Sequence, residues 1–523
     1  MPPTLALFIW LVLLLALLRF DPARNRDTSL PLWVPVIWMF IIGSRLPSQW
    51  LGYQTTTIAA QALEQGNPLD RTVWFVLILL AIGTLTSRSI KWVEFLTRNS
   101  MLVIFLLFAL LSVTWSDFPM VAFKRWFRDL GGYLVILVVL SDPHPLKAVR
   151  AVLRRLSYLL VPLSIVLIKY FPGLAKGYDQ WTGVAEYVGV ATSKNMLGVI
   201  CLVSGSFFFW DTVTRLADRK DGLTRRIILV NFAFIAMTLW LLHLAHSATS
   251  SVCLALGCLV ILAAHSNWGK RYPGFLKAMV PASFFLYLVL ALGLGMSGRL
   301  NEMVGRQANF TDRTLIWQTL LGMHTNPLVG TGYQSFWLGT RLQQVWQRVG
   351  HINEAHNGYL QVYLDLGLIG LFLLCGFLIA CYRAVWKKLD PFTALGSLAL
   401  AVWTILLFYN VTEAAFGDGL LWMILLTGGV TLTEQAHDQV LSAQALEENA
   451  LKQSPIPSKW RLSSSDLPRW ASAEISSHGN YSIQGNRSGK FAKKIRPSLR
   501  SRLSLNGFSQ PFSGGVTRPG RDK

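Results

Sequence analysis

The sequence predicts an all-α polytopic membrane protein with about 12–13 transmembrane helices, one large folded external loop and a disordered basic cytoplasmic tail. Composition is the first reason. Apolar residues make up 52% of the 523-residue chain and charged residues 14%, with mean hydropathy +0.42, outside the soluble globular range. The second is the recurrence of apolar runs long enough to approach a ~30 Å hydrocarbon core. The third is that Lys and Arg gather in a few loops and in the C-terminal tail, as they do on the cytoplasmic side of membrane proteins.

Taken in order, the expected spans centre near residues 11, 37, 79, 106, 136, 164, 204, 236, 257, 287, 370, 402 and 424, those near 37, 79 and 136 being short. The first run, Leu5 to Leu18, has no basic n-region and no small-residue cleavage site, so it reads as a retained helix. Cys201, Cys253, Cys258, Cys375 and Cys381 all lie inside apolar runs, where they read as buried thiols, neither a disulfide framework nor a metal site. The most basic short loops hold Lys147 to Arg155, Arg215 to Arg226 and Arg383 to Lys388. Setting them inside leaves the loops around 45–71, 115–129, 172–195, 246–250, 298–357 and 411–417 outside, together with the N-terminus. The expected organisation is a helix bundle over 1–297, a large loop over 298–357, C-terminal spans over 358–433 and a tail over 434–523.

The large loop has the pattern of a folded segment. Thr311 to Leu321 has helical periodicity, Asn326-Pro327 breaks it, Gly330-Thr331-Gly332 turns, and Arg341 to Val349 suits a second short helix. The tail carries much of the net charge of +21. It is rich in Ser, Gly, Pro, Lys and Arg, densest at Lys493-Lys494-Ile495-Arg496 and Arg500-Ser501-Arg502, and too poor in apolar residues to fold alone. It reads as a tail that orients the protein and touches anionic lipid, and nucleic acid is not an expected partner.

Candidate chemistry lies on the external face. His356 stands at a helix start beside a membrane, where an imidazole can accept a proton near neutral pH. Asn357 is placed to orient that ring or a substrate hydroxyl. Gly367 and Gly370 permit close approach of a helix or a lipid chain. Arg313 offers a planar fork suited to a pyrophosphate, with an ion pair to Asp312 as the plainer reading, and Arg299 and Arg306 are further cations of the same loop. Lys194, beside Asn195, is either a phosphate contact or a snorkelling residue. Ser247 and Thr249 sit in a polar break that suits turn chemistry or substrate contact. Arg125 and Arg128 form a basic aromatic patch, read as an interfacial helix. Asp365, nine residues into its helix, faces away from His356.

The stretch His351-Ile352-Asn353-Glu354-Ala355-His356 does not have His-Glu-x-x-His spacing and has no third ligand in sequence, so no metal is expected. Phosphate-binding loops of the Walker type are absent from the sequence, which argues against ATP use.

Together these residues resemble the O-antigen ligase and polysaccharide polymerase superfamily. His356-Asn357 followed by Gly367-x-x-Gly370 is similar to its signature. Arg313 with Trp317, then Asn326 to Gly332, is similar to the large periplasmic loop before it. Trp115-Ser116, Lys194-Asn195-x-x-Gly198 and Ser247-x-Thr249 resemble weaker upstream marks, so the likeness spans roughly residues 100–435. Ala248 departs from it, standing where ligases often carry an arginine, and Ser-x-Thr looks closer to exopolysaccharide polymerases of the succinoglycan type. The resemblance implies a multi-pass bacterial inner-membrane glycosyltransferase that needs no cofactor and takes a polyprenyl-pyrophosphate-linked oligosaccharide in the periplasm. His356 and Arg313 would be catalytic, and Asn357, Lys194, Asn195, Ser247, Thr249, Arg299, Arg306, Gly330, Gly332, Gly367 and Gly370 substrate-binding. Membrane lipid and other polysaccharide export components are the partners it implies. Polymerisation of repeat units is the leading expectation; a ligase acting on lipid A core and a transporter or flippase are the alternatives.

Overall fold

The computed structural model describes residues 1–19, 29–53, 66–178, 183–216, 221–289, 310–389, 394–417 and 419–432. Arg299, Arg306 and the expected tail lie outside these. Residues Met1–His437 form one compact unit.

Backbone groups in hydrocarbon have no water to bond, so each apolar run closes its own hydrogen bonds as a helix. The helices of more than seven residues are α1 (Pro3–Arg19), α2 (Trp33–Gly43), α3 (Pro68–Thr86), α4 (Ser100–Leu111), α5 (Pro119–Leu140), α6 (Pro145–Tyr170), α7 (Lys194–Arg215), α8 (Gly222–Ala245), α9 (Ala248–His265) and α10 (Pro273–Leu288). They continue with α11 (Phe310–Leu321), α12 (Gly339–Val349), α13 (Gly358–Leu389), α14 (Ala394–Tyr409) and α15 (Gly419–Gly429). Strands among the described residues are confined to β1 (Lys176–Tyr178) and β2 (Ala185–Tyr187), an antiparallel pair with Gly177 opposite Glu186. The protein is an all-α polytopic membrane protein.

A helix covers each of the thirteen expected centres. Six of them, α3, α6, α7, α8, α9 and α13, are long and apolar enough to cross a bilayer alone. The short helix Trp92–Arg98 and the segment Ser100–Trp115, which is α4 with its 3₁₀ extension, form a pair bent by 87° that makes up to seven. The shorter apolar helices, such as α15 at 11 residues, fall below the roughly 17–25 residues that span a hydrocarbon core. α5 is amphipathic because Lys124, Arg125, Arg128 and Asp129 interrupt its first half.

α13 is broken where the sequence reads as continuous. Gly367 has φ +65, a conformation favourable only to glycine. A side chain there would begin 2.3 Å from the Leu328 carbonyl. The chain from Pro327 to Gly332 fills the break. Leu368 N donates to Pro327 O (2.9 Å) and Ile369 N to Leu328 O (3.1 Å), while Thr331 N and Gly332 N donate to the Leu364 and Asp365 carbonyls. Backbone groups that the kink frees are thereby satisfied by the loop. Asp365 completes this seam, accepting from Phe336 N and from Gln361 Nε2.

The loop also has its own apolar cluster. Ile316 and Leu320 of α11 meet Leu342 and Val345 of α12, Phe336, and Leu364 of α13. Trp317 Nε1 donates to Ala355 O at 2.9 Å, tying α11 to the residue before His356. The two helices thus dock on the start of α13.

Candidate active site

The cluster is assembled by the turn after α14. Asn410, buried at the helix end, donates its amide to Leu406 O and accepts from Ala415 N, both at 2.8 Å. This closes Val411–Glu413 into a tight turn. Gly358 N donates to the Asn410 and Glu413 carbonyls at 2.8 and 2.9 Å. A Cβ at Gly358 would lie 2.0 Å from Asn410 Oδ1, so the absence of a side chain lets the α13 start press against the turn. Asn357 caps α13 through Leu360 N (3.0 Å) and donates to Val411 O (3.2 Å).

Four distant parts of the chain converge on this turn. Arg313 from α11 pairs with Glu413 Oε1 at 2.8 Å and also donates to the Thr412 carbonyl. Asn195 from α7 donates to Glu413 Oε2 at 3.0 Å. His356 Nδ1 lies 3.4 Å from the same oxygen and 2.9 Å from Glu354 Oε1. Thr249 from α9 shares a 2.9 Å hydrogen bond with Thr412 Oγ1. Of the residues the sequence singles out, Arg313, His356, Asn357, Asn195 and Thr249 are thus brought together, and the observed partner of Arg313 is Glu413.

Glu413 is the residue that sequence reasoning missed. Its side chain is 4% exposed against 18% for Arg313, and a carboxylate so placed is costly unless paired. Burial alone raises the Glu413 pKa, but hydrogen bonds and charges from His356 and Arg313 outweigh it and hold the group below its ordinary range. Burial favours neutral His356, yet hydrogen bonds and charges from Glu354 and Glu413 prevail and carry its pKa up to about 9. With both carboxylates at Nδ1, the ring directs Nε2 elsewhere, the arrangement in which a partnered imidazole exchanges a proton at its other nitrogen.

Glu354, His356 and Glu413 also place their ligand atoms within 4.8 Å of one another. The fold therefore supplies the third donor that the sequence around His356 lacks. The donors are disposed about an imidazole N–H, however, and Glu413 already holds a guanidinium at 2.8 Å. A divalent ion there would face that cation, so the set suits a hydrogen-bonded histidine better than a metal.

Other candidates sit apart from the turn. Lys194 pairs with Glu186 of β2. Ser247 is buried, donates to Ser250 Oγ at 3.0 Å, and packs on Gly198. Gly330, Gly332 and Gly367 meet at the broken turn of α13, and Gly370 faces Leu366 of its own helix. Arg125 donates to Gln334 O and Arg128 pairs with Asp129, so this patch contacts the large loop and its own helix.

Residues 232–375 match the O-antigen ligase family. Among curated proteins, the chain is similar to the exopolysaccharide production protein ExoQ of Rhizobium meliloti (strain 1021), 23% identical over 298 residues. That alignment covers 54% of this chain and 65% of the relative, so the chain spans somewhat less than two thirds of the relative's length. Over part of its length the chain is thus similar to the O-antigen ligase and polysaccharide polymerase superfamily. The family match takes in Ser247, Thr249, Arg313, His356, Asn357, Gly367 and Gly370, but Asn195 and Glu413 lie beyond it. The turn that gathers the cluster is therefore visible only in the fold.

Proposed function

We propose that the chain is a glycosyltransferase that polymerises polyprenyl-pyrophosphate-linked oligosaccharide repeat units into exopolysaccharide on the periplasmic face of the bacterial inner membrane. The observation that carries this reading is the convergence of His356 and Arg313 on Glu413. An acceptor hydroxyl needs a base only as it attacks, and His356 Nε2 takes its proton. The hydroxyl oxygen bonds the anomeric carbon while the bond from that carbon to pyrophosphate breaks. Its electron pair leaves on polyprenyl pyrophosphate, whose charge Arg313 stabilises. A single displacement inverts the anomeric configuration. The bond broken stores the driving force, so neither metal nor nucleotide is required.

Glu413 positions both partners. It fixes Nδ1 of the imidazole, stabilises the imidazolium that forms, and holds Arg313 before substrate arrives. Asn195 steadies the same carboxylate, and Asn357 and Thr249 hold the turn.

A pH prediction follows from the raised His356 pKa. Proton abstraction needs neutral imidazole, which is the minor form below about pH 9. The rate rises about tenfold per pH unit below that value and levels above it. Glu354→Gln removes one partner that raises the pKa, and the limb moves down by about 1 unit. Polymer formation by purified protein across pH 6–10 reads this directly. A rate that falls above pH 9 would mean that the imidazolium is the working form.

The O-antigen ligase match favours a second reading, transfer of finished glycan to an acceptor such as lipid A core. Carrier-linked glycan in cells lacking the protein separates the two. Polymerase loss leaves single repeat units on the carrier, whereas ligase loss leaves full-length polymer there. Carrier free of glycan on the periplasmic face would instead favour a flippase.

A further inference from the structure

A cavity of about 340 Å³ lies among α2, α3, α5, α7 and α15, and the reaction above leaves it unused. The same chain segments that build the catalytic cluster build its wall. Thr192 and Met196 line it on either side of Asn195, and Gly417 and Gly419 line it just past Glu413. Arg45 donates to the Ala191 carbonyl at 2.8 Å, bringing the 44–49 turn to that rim. Asp129, also in the wall, accepts from Tyr333 (2.9 Å) and Gln334 (2.7 Å) of the large loop. The cavity is therefore walled by the same segments that carry Asn195 and Glu413 to His356.

Its lining is mixed. Trp38, Trp74, Tyr133 and Trp422 supply aromatic surface, while Gln49, Arg128, Asp129 and Thr192 supply donors and acceptors. Trp38 and Trp74 lie 4.5 Å apart, centroid to centroid, and Trp422 Nε1 donates to Tyr133 Oη at 3.0 Å, so the aromatic wall is fixed. A sugar ring matches this chemistry, since its C–H face packs on aromatic rings and its hydroxyls need donors and acceptors at the edge. An isoprenoid chain does not, because it would bury Arg128, Asp129 and Gln49 against hydrocarbon. The volume is at the lower end of the ~300–1,000 Å³ typical of small-molecule sites, enough for one or two rings.

We infer that this cavity is a glycan subsite, holding a pyranose ring of the lipid-linked repeat unit a short distance from the reacting bond. It gives Arg128 a role: its guanidinium, held by Asp129 at 2.7 Å, lines the cavity and faces the sugar. The inference rests on the glycosyl transfer proposed above, and its test separates the two.

The probe is the repeat-unit oligosaccharide released from its carrier by mild acid, titrated into the purified full chain in detergent. Thr192→Trp fills the mouth from an exposed position, and Gln49→Leu removes a polar contact without adding bulk. Each is expected to weaken oligosaccharide binding at least tenfold, while His356→Ala abolishes polymer yet still binds. Wild-type affinity in both cavity variants would overturn the inference. So would no binding to the wild type, or loss of polyprenyl phosphate binding with the oligosaccharide unaffected, which would mark a lipid slot. A His356→Ala protein that makes normal polymer would overturn the reaction itself, whatever the binding result.

Discussion

Cells whose only copy carries His356→Ala are expected to lose polymer and accumulate single repeat units on the carrier, with the transfer rate down on the order of 10²–10⁴. The expectation rests on position as well as residue type. His356 adopts φ 47, a left-handed conformation that asparagine tolerates better than alanine. His356→Asn therefore keeps the backbone and a hydrogen-bonding side chain and removes only the base. Both variants should reach the membrane in normal amounts, because the imidazole belongs to neither apolar cluster. Equal loss in both assigns the defect to proton transfer. Activity in His356→Asn near the wild-type level would leave His356 a structural residue of the α13 start.

The second large effect concerns the pair behind it. Arg313→Ala removes the cation proposed to face the leaving group, with an expected loss of ~10²–10³ in rate. Glu413→Ala costs a similar factor, because it releases Arg313 and leaves the imidazole without its buried partner. The double variant should lose little more than the worse single one, since the residues act as one unit. Initial rates of polymer formation for the four proteins give the cycle. Glu413→Ala also strands a partly buried guanidinium, which destabilises, so Glu413→Gln serves as the folding control. It retains a hydrogen-bond acceptor and loses the charge, and its His356 limb falls to lower pH. Additive losses would separate Arg313 from Glu413 and remove the argument for a shared centre.

The limits of the sequence are physical ones. Apolar periodicity is local, so all thirteen helical centres could be read from it. A histidine and an asparagine at a helix start, and an arginine in a structured loop, were legible because each type has chemistry its neighbours lack. Glu413 was not. A single acidic residue in Val411-Thr412-Glu413-Ala414 is an ordinary solvated loop charge until α14 carries it beneath Arg313. The one usable signal was a carboxylate on the same expected side as two candidate catalytic groups. The break in α13 was hidden for the same reason. Glycine within an apolar helix is compatible with either continuity or a kink, and the outcome depends on the Pro327–Gly332 segment entering from far along the chain. Lys194 shows the reverse case, a cation whose nearest opposite charge, Glu186, lies in a hairpin that composition does not reveal.

A reconstitution reads the proposed transfer directly. Purified wild-type and His356→Ala proteins are given labelled polyprenyl-pyrophosphate repeat units in proteoliposomes with EDTA present and nucleotide omitted. The wild type is expected to release polyprenyl pyrophosphate and extend carrier-linked glycan one repeat at a time, and His356→Ala to do neither. Extension that stops on chelation and returns with a divalent ion, or extension undiminished in His356→Ala, would contradict this expectation.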